Sequence, residues 1–292
     1  MKIKRHWLLL FLSPGLALFL FVYFASIVSV VGTSFTDWRI GQEMRLSGLR
    51  NYLSLFQSAS FLKALGNNII WILLQSTIHV AVGVLFCLII AWKKNKWYAK
   101  ASQTLFMLPN MLSSAALGML FYNIFNPMYG PVNKVIKALG NADFNINWFA
   151  NADTAFFAVT VTWLPFAAIV AILGAAELSA IPDDIFEAAY IDGATELQTN
   201  LYIKLPLLKN AIGTATILAA TSMLQKLDIL VMTTNGGPGI ATMNLPLFIY
   251  NTAMRDNNFG LSNACAVLLI IIGLISIGVV NKLYRMNDAV LS

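Results

Sequence analysis

Charge is what this sequence has least of: 11% of its 292 residues are Asp, Glu, Lys or Arg, against 58% hydrophobic, at a mean hydropathy of +0.72. A soluble domain carries about a quarter of its residues as charges, so a water-exposed globule is excluded. Cysteine and histidine are scarcer still, with Cys87, Cys265, His6 and His79 the complete set. Both cysteines lie inside apolar runs without metal-ligand spacing, which excludes structural zinc, a disulfide framework and a Cys/His catalytic pair. A phosphate loop is also missing. The glycine cluster Thr233-Thr-Asn-Gly-Gly-Pro-Gly has neither the lysine nor the strand-loop-helix setting of one and reads as turn chemistry. No Ser/Lys dyad, His-Glu metal motif or pair of intramembrane aspartates occurs, which removes a membrane-embedded enzyme. The excess of 19 Lys and Arg over 13 Asp and Glu forms no basic patch. Nucleic acid is therefore not an expected partner, whereas anionic lipid headgroups are.

What the chain does have is long apolar runs, over 7–31, 69–92, 105–125, 155–176, 211–232 and 261–283. Each reaches the roughly 18 residues of a bilayer span. Because only helices or closed barrels satisfy their backbone in lipid, the runs predict an all-α polytopic membrane protein with six transmembrane helices. The first follows Lys2, Lys4 and Arg5 like a signal peptide, but its roughly 25 apolar residues exceed an h-region of 7–15. It is expected to stay as an uncleaved span, bent at Pro14-Gly15 where a helical hydrogen bond is lost. Lys and Arg outside the runs are denser on the side of the N-terminus, above all in Lys93, Lys94, Lys96 and Lys100. The opposite side holds Arg39, Arg45, Arg50, Lys63, Lys134, Lys137 and Arg255. The positive-inside rule then puts both termini in the cytoplasm. Segments 32–68 and 126–154, with Trp38, Tyr52, Phe56, Tyr129, Trp148 and Phe149, read as outer interfacial helices. The domain division is 1–68, the first span with an outer interfacial segment, and 69–292, a core with a polar loop at about 177–210.

That loop carries the most information. It runs Ser179-Ala-Ile-Pro-Asp-Asp-Ile-Phe-Glu-Ala-Ala-Tyr-Ile-Asp-Gly-Ala and on to Lys204-Leu-Pro. Pro182 suits a first helical turn, Asp183 and Asp184 complement the helix dipole, and Gly193 suits a left-handed stop. Helical spacing puts Ile185, Ala188, Ala189 and Asp192 on one face. Such a face, small in its middle, either docks a partner protein or lies on its own bundle. In the fifth run, Lys226 and Asp228 are ionisable groups at membrane depth and so candidates for function. On a continuous helix they point about 200° apart, while Gln225 and Asp228 share a face. A transporter acting alone, with Asp228 as its ion-coupling acid, is the rival reading, though it calls for more membrane carboxylates than this one.

The segment Glu187-Ala-Ala-Tyr-Ile-Asp-Gly-Ala followed by Lys204-Leu-Pro resembles the EAA loop of binding-protein-dependent ABC importer permeases. Ser34-Phe-Thr-Asp-Trp, Asn51-Tyr-Leu, Phe106-Met-Leu-Pro and Thr234-Asn-Gly-Gly-Pro extend the resemblance along the whole chain, to the carbohydrate-type permeases related to the maltose and glycerol-phosphate importers. The chain is similar to the maltose-F-like half of such a heterodimer, in its shorter six-span form. The resemblance implies the type I importer permease fold, a bacterial or archaeal plasma membrane location and no enzyme activity or cofactor of its own, with ATP bound by partner subunits. The implied partners are a cytoplasmic ABC ATPase dimer, a second paralogous six-span permease, an extracellular or periplasmic solute-binding protein and a sugar-like substrate. It further implies that Glu187, Ala188, Ala189, Asp192, Gly193 and Ala194 form a coupling helix seated in the ATPase. The helices flanking the loop would line the substrate pathway, through Thr162, Trp163, Met223 and Lys226, and the polar groups Gln225 and Asp228 of the fifth run join them as candidates. Where maltose-type relatives offer amides in the fifth span, this chain has Met223, Gln225 and Lys226, which sets its substrate apart from maltose.

Overall fold

A computed structural model describes residues 5–92 and 96–284. Lys2, Lys4, Lys93, Lys94 and Arg285, which enter the charge count for orientation, lie outside the described residues. Within them the chain is helical, its only extended pairing an isolated antiparallel bridge between Thr36 and Leu46. Among the described residues four helices are long and apolar enough to cross a bilayer: Leu9–Ser34, Ala59–Ile90, Ala152–Ala180 and Phe259–Tyr284. A fifth candidate is a pair, Ala101–Met111 and Ser114–Ile124, bent by 102°. Of the six apolar runs expected to span, four thus lie in long continuous helices, while the third and the fifth are interrupted.

In the third run Pro109 sits in a tight 3-10 turn, Leu108–Met111, and Ser113 caps a new helix by accepting from Ala116 N–H at 3.2 Å. Asn110 pins the corner by donating to the Pro165 carbonyl at 2.7 Å. The fifth run divides into Lys209–Ser222 and Asp228–Thr233 around a non-helical turn at 223–227. Fourteen residues of helix rise about 21 Å, short of the roughly 30 Å of a hydrocarbon core.

By packing, the chain divides into two compact units with boundaries at Leu62/Lys63, Leu247/Phe248 and Ile271/Ile272. In the first, the opening helix continues through Pro14 without a break. Proline frees the carbonyl four residues back, and the Ser13 hydroxyl donates to that Leu10 carbonyl at 3.0 Å. The irregularity falls later, as a π-helical turn over Leu20–Phe24. At the far end of this span the buried Asn51 donates to the carbonyls of Ser34 (2.8 Å) and Thr36 (2.7 Å). Gly260 allows the Thr36 backbone to pass, since a Cβ there would meet its carbonyl oxygen at 2.0 Å. Segments 32–68 and 126–154 contain the short helices Arg50–Gln57 and Pro131–Ala138.

The second unit is built on small residues. A Cβ on Gly83 would lie 2.5 Å from that of Val170, and one on Gly174 would lie 2.8 Å from Cys87 Sγ. One glycine from each helix, each facing a side chain of the other, therefore brings Val80–Trp92 and Ala167–Ala180 into close contact, the usual way membrane helices gain packing without a hydrophobic drive. Beside them lies an aromatic core. Trp71 stacks parallel on Phe156 (4.7 Å) and meets Trp163 edge-on (4.6 Å), while its Nε1 donates to Thr160 Oγ1 at 2.9 Å. Met223, Ile229, Leu230 and Leu247 complete this cluster.

Candidate functional site

The polar loop folds into two short helices. The first, Asp183–Ile191, starts one residue after the sequence expectation: Pro182 is its N-cap rather than its first-turn residue, and Asp183 and Asp184 fill the first turn. Its end is a Schellman motif. Gly193 takes φ +84, its N–H donates to the Tyr190 carbonyl at 3.1 Å, and the Ala194 N–H donates to Ala189 at 2.9 Å. A Cβ on Gly193 would touch nothing, so its requirement is conformational and not steric. Ala189 is buried and Phe186 half-buried, so these two turn inward. Glu187, Ala188 and Asp192 are exposed, and so are Ile185 (42%) and Ile191 (86%). The face of Ile185, Ala188, Ala189 and Asp192 is accordingly split, with Ala189 inside and the other three outside.

The second helix starts at Glu196 behind a capping box, in which Thr195 and Gln198 each bind the other's backbone. It continues through a π-helical turn, Asn200–Lys204, into Leu205–Leu207. Leu197, Leu201 and Tyr202 project outward. Asp192, Gly193, Ala194, Gln198, Tyr202 and Ile203 line a shallow hollow of about 320 Å³ between the two helices. Underneath, Lys204 is buried and paired with Glu196 at 2.9 Å, and the Glu196 carboxylate also accepts from the Tyr190 phenol. That hydrogen bond holds the Tyr190 phenol above its ordinary range, at about 12.

The second cluster of candidates surrounds the break at 223–227. Unwound backbone at membrane depth is tolerated only where protein or a water-filled cavity surrounds it, and here two buried asparagines satisfy it. Asn68 donates to the Met223 carbonyl (3.3 Å) and accepts from Leu245 N–H (2.7 Å). Asn244 donates to the Lys226 carbonyl (2.6 Å) and accepts from Leu247 N–H (2.9 Å). Next in sequence, Asn67 donates to the carbonyls of Ala241 (2.9 Å) and Met243 (2.8 Å), which anchors the end of the Asn-Gly-Gly-Pro turn.

This framework presents some candidates and hides others. Gln225 and Asp228 are exposed, and Lys226 is half-buried with its Nζ 3.5 Å from the centre of the Phe166 ring. Lys226 makes no ion pair among the described residues. Thr162, Trp163 and Met223 are buried, the last two in the aromatic core, so they back the site and do not line an opening in this chain. The expected 200° separation of Lys226 and Asp228 does not apply, because no helix connects them. Phe166, Asn68 and Asn244 were not legible as site residues. An asparagine inside one helix, another just before the next, and a phenylalanine after Leu-Pro are unremarkable until the break is seen to hang on them.

A family model described as binding-protein-dependent transport system inner membrane component matches residues 83–287. The multiple sugar-binding transport system permease protein MsmF of Streptococcus mutans is 30% identical over 279 residues, 94% of each chain. The trehalose/maltose transport system permease protein MalF of Thermococcus litoralis is 29% identical over 231 residues, 77% of this chain and 75% of its own. Among solved structures, a bacterial alginate ABC transporter in complex with its pentasaccharide-bound periplasmic protein matches with a TM-score of 0.83. The alignment covers 97% of this chain and 96% of that one at 21% identity, a likeness of fold.

Proposed function

The chain belongs to the binding-protein-dependent transport system inner membrane components, and on that premise we propose that it imports a sugar, an oligosaccharide or related polyol or glycoside, using ATP hydrolysed elsewhere. It is a transport subunit and not an enzyme. A cytoplasmic ATPase dimer binds and hydrolyses the nucleotide, a paralogous permease forms the other half of the pathway, and a solute-binding protein outside the membrane delivers substrate. The printed names of the relatives, multiple sugar-binding and trehalose/maltose transport, support the substrate class.

One observation carries the coupling role. The polar loop is too charged for lipid, yet it exposes Ile185 and Ile191 on the helix that carries Glu187, and Leu197, Leu201 and Tyr202 on the next. Apolar side chains clustered at the end of a polar loop mark a surface that another protein covers. In this reading Glu187 pairs inside the ATPase cleft, Ala188 permits close approach, and Asp192, Gly193 and Ala194 close the helix that is gripped. When the ATPase dimer closes on ATP it draws the loop helix with it, turning the permease half so that the pathway opens toward the binding protein. Both termini lie in the cytoplasm with the loop.

On the pathway, Gln225, Lys226 and Asp228 offer hydrogen-bonding groups at a helix discontinuity, the kind of position where membrane transporters hold polar substrates. Thr162, Trp163 and Met223 act from behind, as the packed wall that fixes the break.

The test is purification of the tagged chain in mild detergent with mass spectrometry of what accompanies it. The reading expects a second polytopic permease and an ATP-binding subunit, the latter lost in Glu187→Lys while the protein still inserts. Recovery of the chain alone, unaffected by that substitution, would contradict it.

A further inference from the structure

The loop helix Asp183–Ile191 follows Ala167–Ala180 after two residues, but toward the helix beyond it the covalent connection is a loose one. Residues 192–195 between its end and the next helix are a glycine turn and a cap. The attachment lies in side chains. Glu196 divides its carboxylate between two elements: one oxygen accepts from the phenol of Tyr190, in the last turn of the loop helix, and the other from Lys204 Nζ at 2.9 Å. Lys204 reaches back as well, its ammonium 5.5 Å from the ring centre of Phe186 in the same loop helix. The pair is shielded, with side-chain exposures of 7% for Lys204 and 22% for Glu196. Little solvent then screens the attraction, and each charge depends on the other for compensation.

The position of this cluster gives it leverage. Lys204 ends the π-helical turn and its carbonyl accepts from Leu208 N–H at 3.0 Å. Leu208 is buried against Cys87, Leu88 and Ala171 at the foot of Lys209–Ser222, the helix that leads to the break bearing Lys226. A path of packed and charged contacts therefore runs from Tyr190 and Phe186 through Glu196 and Lys204 to the substrate-side helix.

We propose that Glu196 is a positioning residue for coupling, the joint that fixes the loop helix to the helix beyond it so that displacement of the first is passed to the second. This rests on the reading of the loop as the ATPase contact. Without the joint the loop helix would still be gripped, but its motion would be absorbed in the glycine turn at Gly193.

The experiment uses the whole transporter, with permease pair, ATPase and binding protein in proteoliposomes, and measures ATP hydrolysed per substrate imported. Glu196→Gln and Lys204→Met are expected to raise that ratio at least tenfold while the ATPase stays attached. The swap of Glu196→Lys with Lys204→Glu is expected to bring it back toward the starting value. Tyr190→Phe, which removes only a hydroxyl from an exposed ring and leaves the burial intact, is expected to raise the ratio about threefold. An unchanged ratio in Glu196→Gln and Tyr190→Phe, whether both rates hold or fall together, overturns the proposal and makes the cluster a folding brace. Failure of the underlying reading looks different: the unaltered chain would bind no ATPase.

Discussion

The ammonium of Lys226 rests on the face of Phe166, 3.5 Å from the ring centre, although the two residues belong to different apolar runs. A cation at membrane depth without a carboxylate partner is costly, and a desolvated ring face returns about 2 kcal/mol of that. The pair places a charged, hydrogen-bonding group at the edge of the broken helix, beside the exposed Gln225 and Asp228. Lys226→Met should therefore lower uptake efficiency about tenfold, the equivalent of about 1.4 kcal/mol. Transport assays across a substrate series, with binding-protein affinity as the control, check this; unchanged kinetics would remove Lys226 from the pathway.

The asparagines that hold the break should matter for stability before they matter for transport. Asn68→Ala takes partners from the Met223 carbonyl and the Leu245 N–H, both buried. An unsatisfied buried polar group costs about 1–3 kcal/mol, so the thermal midpoint in detergent should fall by several degrees. Gln225→Ala, at an exposed position, should leave the midpoint where it is. Equal midpoints for the two variants would mean that the break does not depend on Asn68.

Much of this was legible in the sequence, for reasons that differ by element. Composition and run length revealed the membrane helices, because 18 or more apolar residues have few other uses. The stop at Gly193 was equally plain, since a Schellman turn needs a residue free to take φ +84. Breaks inside apolar runs were not legible. In residues 211–232 Lys226 and Asp228 are the sole charges and nothing local marks a stop, whereas the unwound carbonyls are held by hydrogen bonds from Asn68 and Asn244, outside the run. Pro14 shows the opposite case: a residue that could end a helix lies inside one, where the neighbouring Ser13 hydroxyl takes up the freed carbonyl. The Glu196–Lys204 joint was hidden because a pairing eight residues apart is no standard helical spacing, and it forms across a π turn.

Gly193 gives a sharper prediction than its neighbours. A β-branched residue forced to the left-handed region costs about 1–2 kcal/mol, whereas asparagine tolerates it. Gly193→Val should disorder the end of the loop helix and reduce ATP-driven uptake severalfold, and Gly193→Asn should retain most of it. The comparison is made on reconstituted transporter at matched protein levels, and equal losses in both variants would contradict the conformational argument.

Tyr190 supplies a titration signature. Its hydrogen bond to Glu196 favours the neutral phenol and lifts its pKa from an ordinary 10 to about 12. Because the folded value is the higher one, the stabilisation is complete below pH 10 and is lost as pH rises toward 12. The tyrosinate absorbance assigned to Tyr190, by difference against Tyr190→Phe, should therefore appear late, and Glu196→Gln should bring it earlier. An unshifted titration in Glu196→Gln would mean that the carboxylate does not hold the phenol.

The central claim is that this chain moves substrate by work done on its cytoplasmic loop, and uptake of labelled oligosaccharide into proteoliposomes tests it most directly. The chain is reconstituted with its co-purifying permease and ATPase, with ATP inside the vesicles and the binding protein outside. The account predicts accumulation that requires both ATP and binding protein, is unaffected by collapsing ion gradients, and disappears in Glu187→Lys. Accumulation without ATP, driven by a proton or sodium gradient and intact in Glu187→Lys, would contradict it.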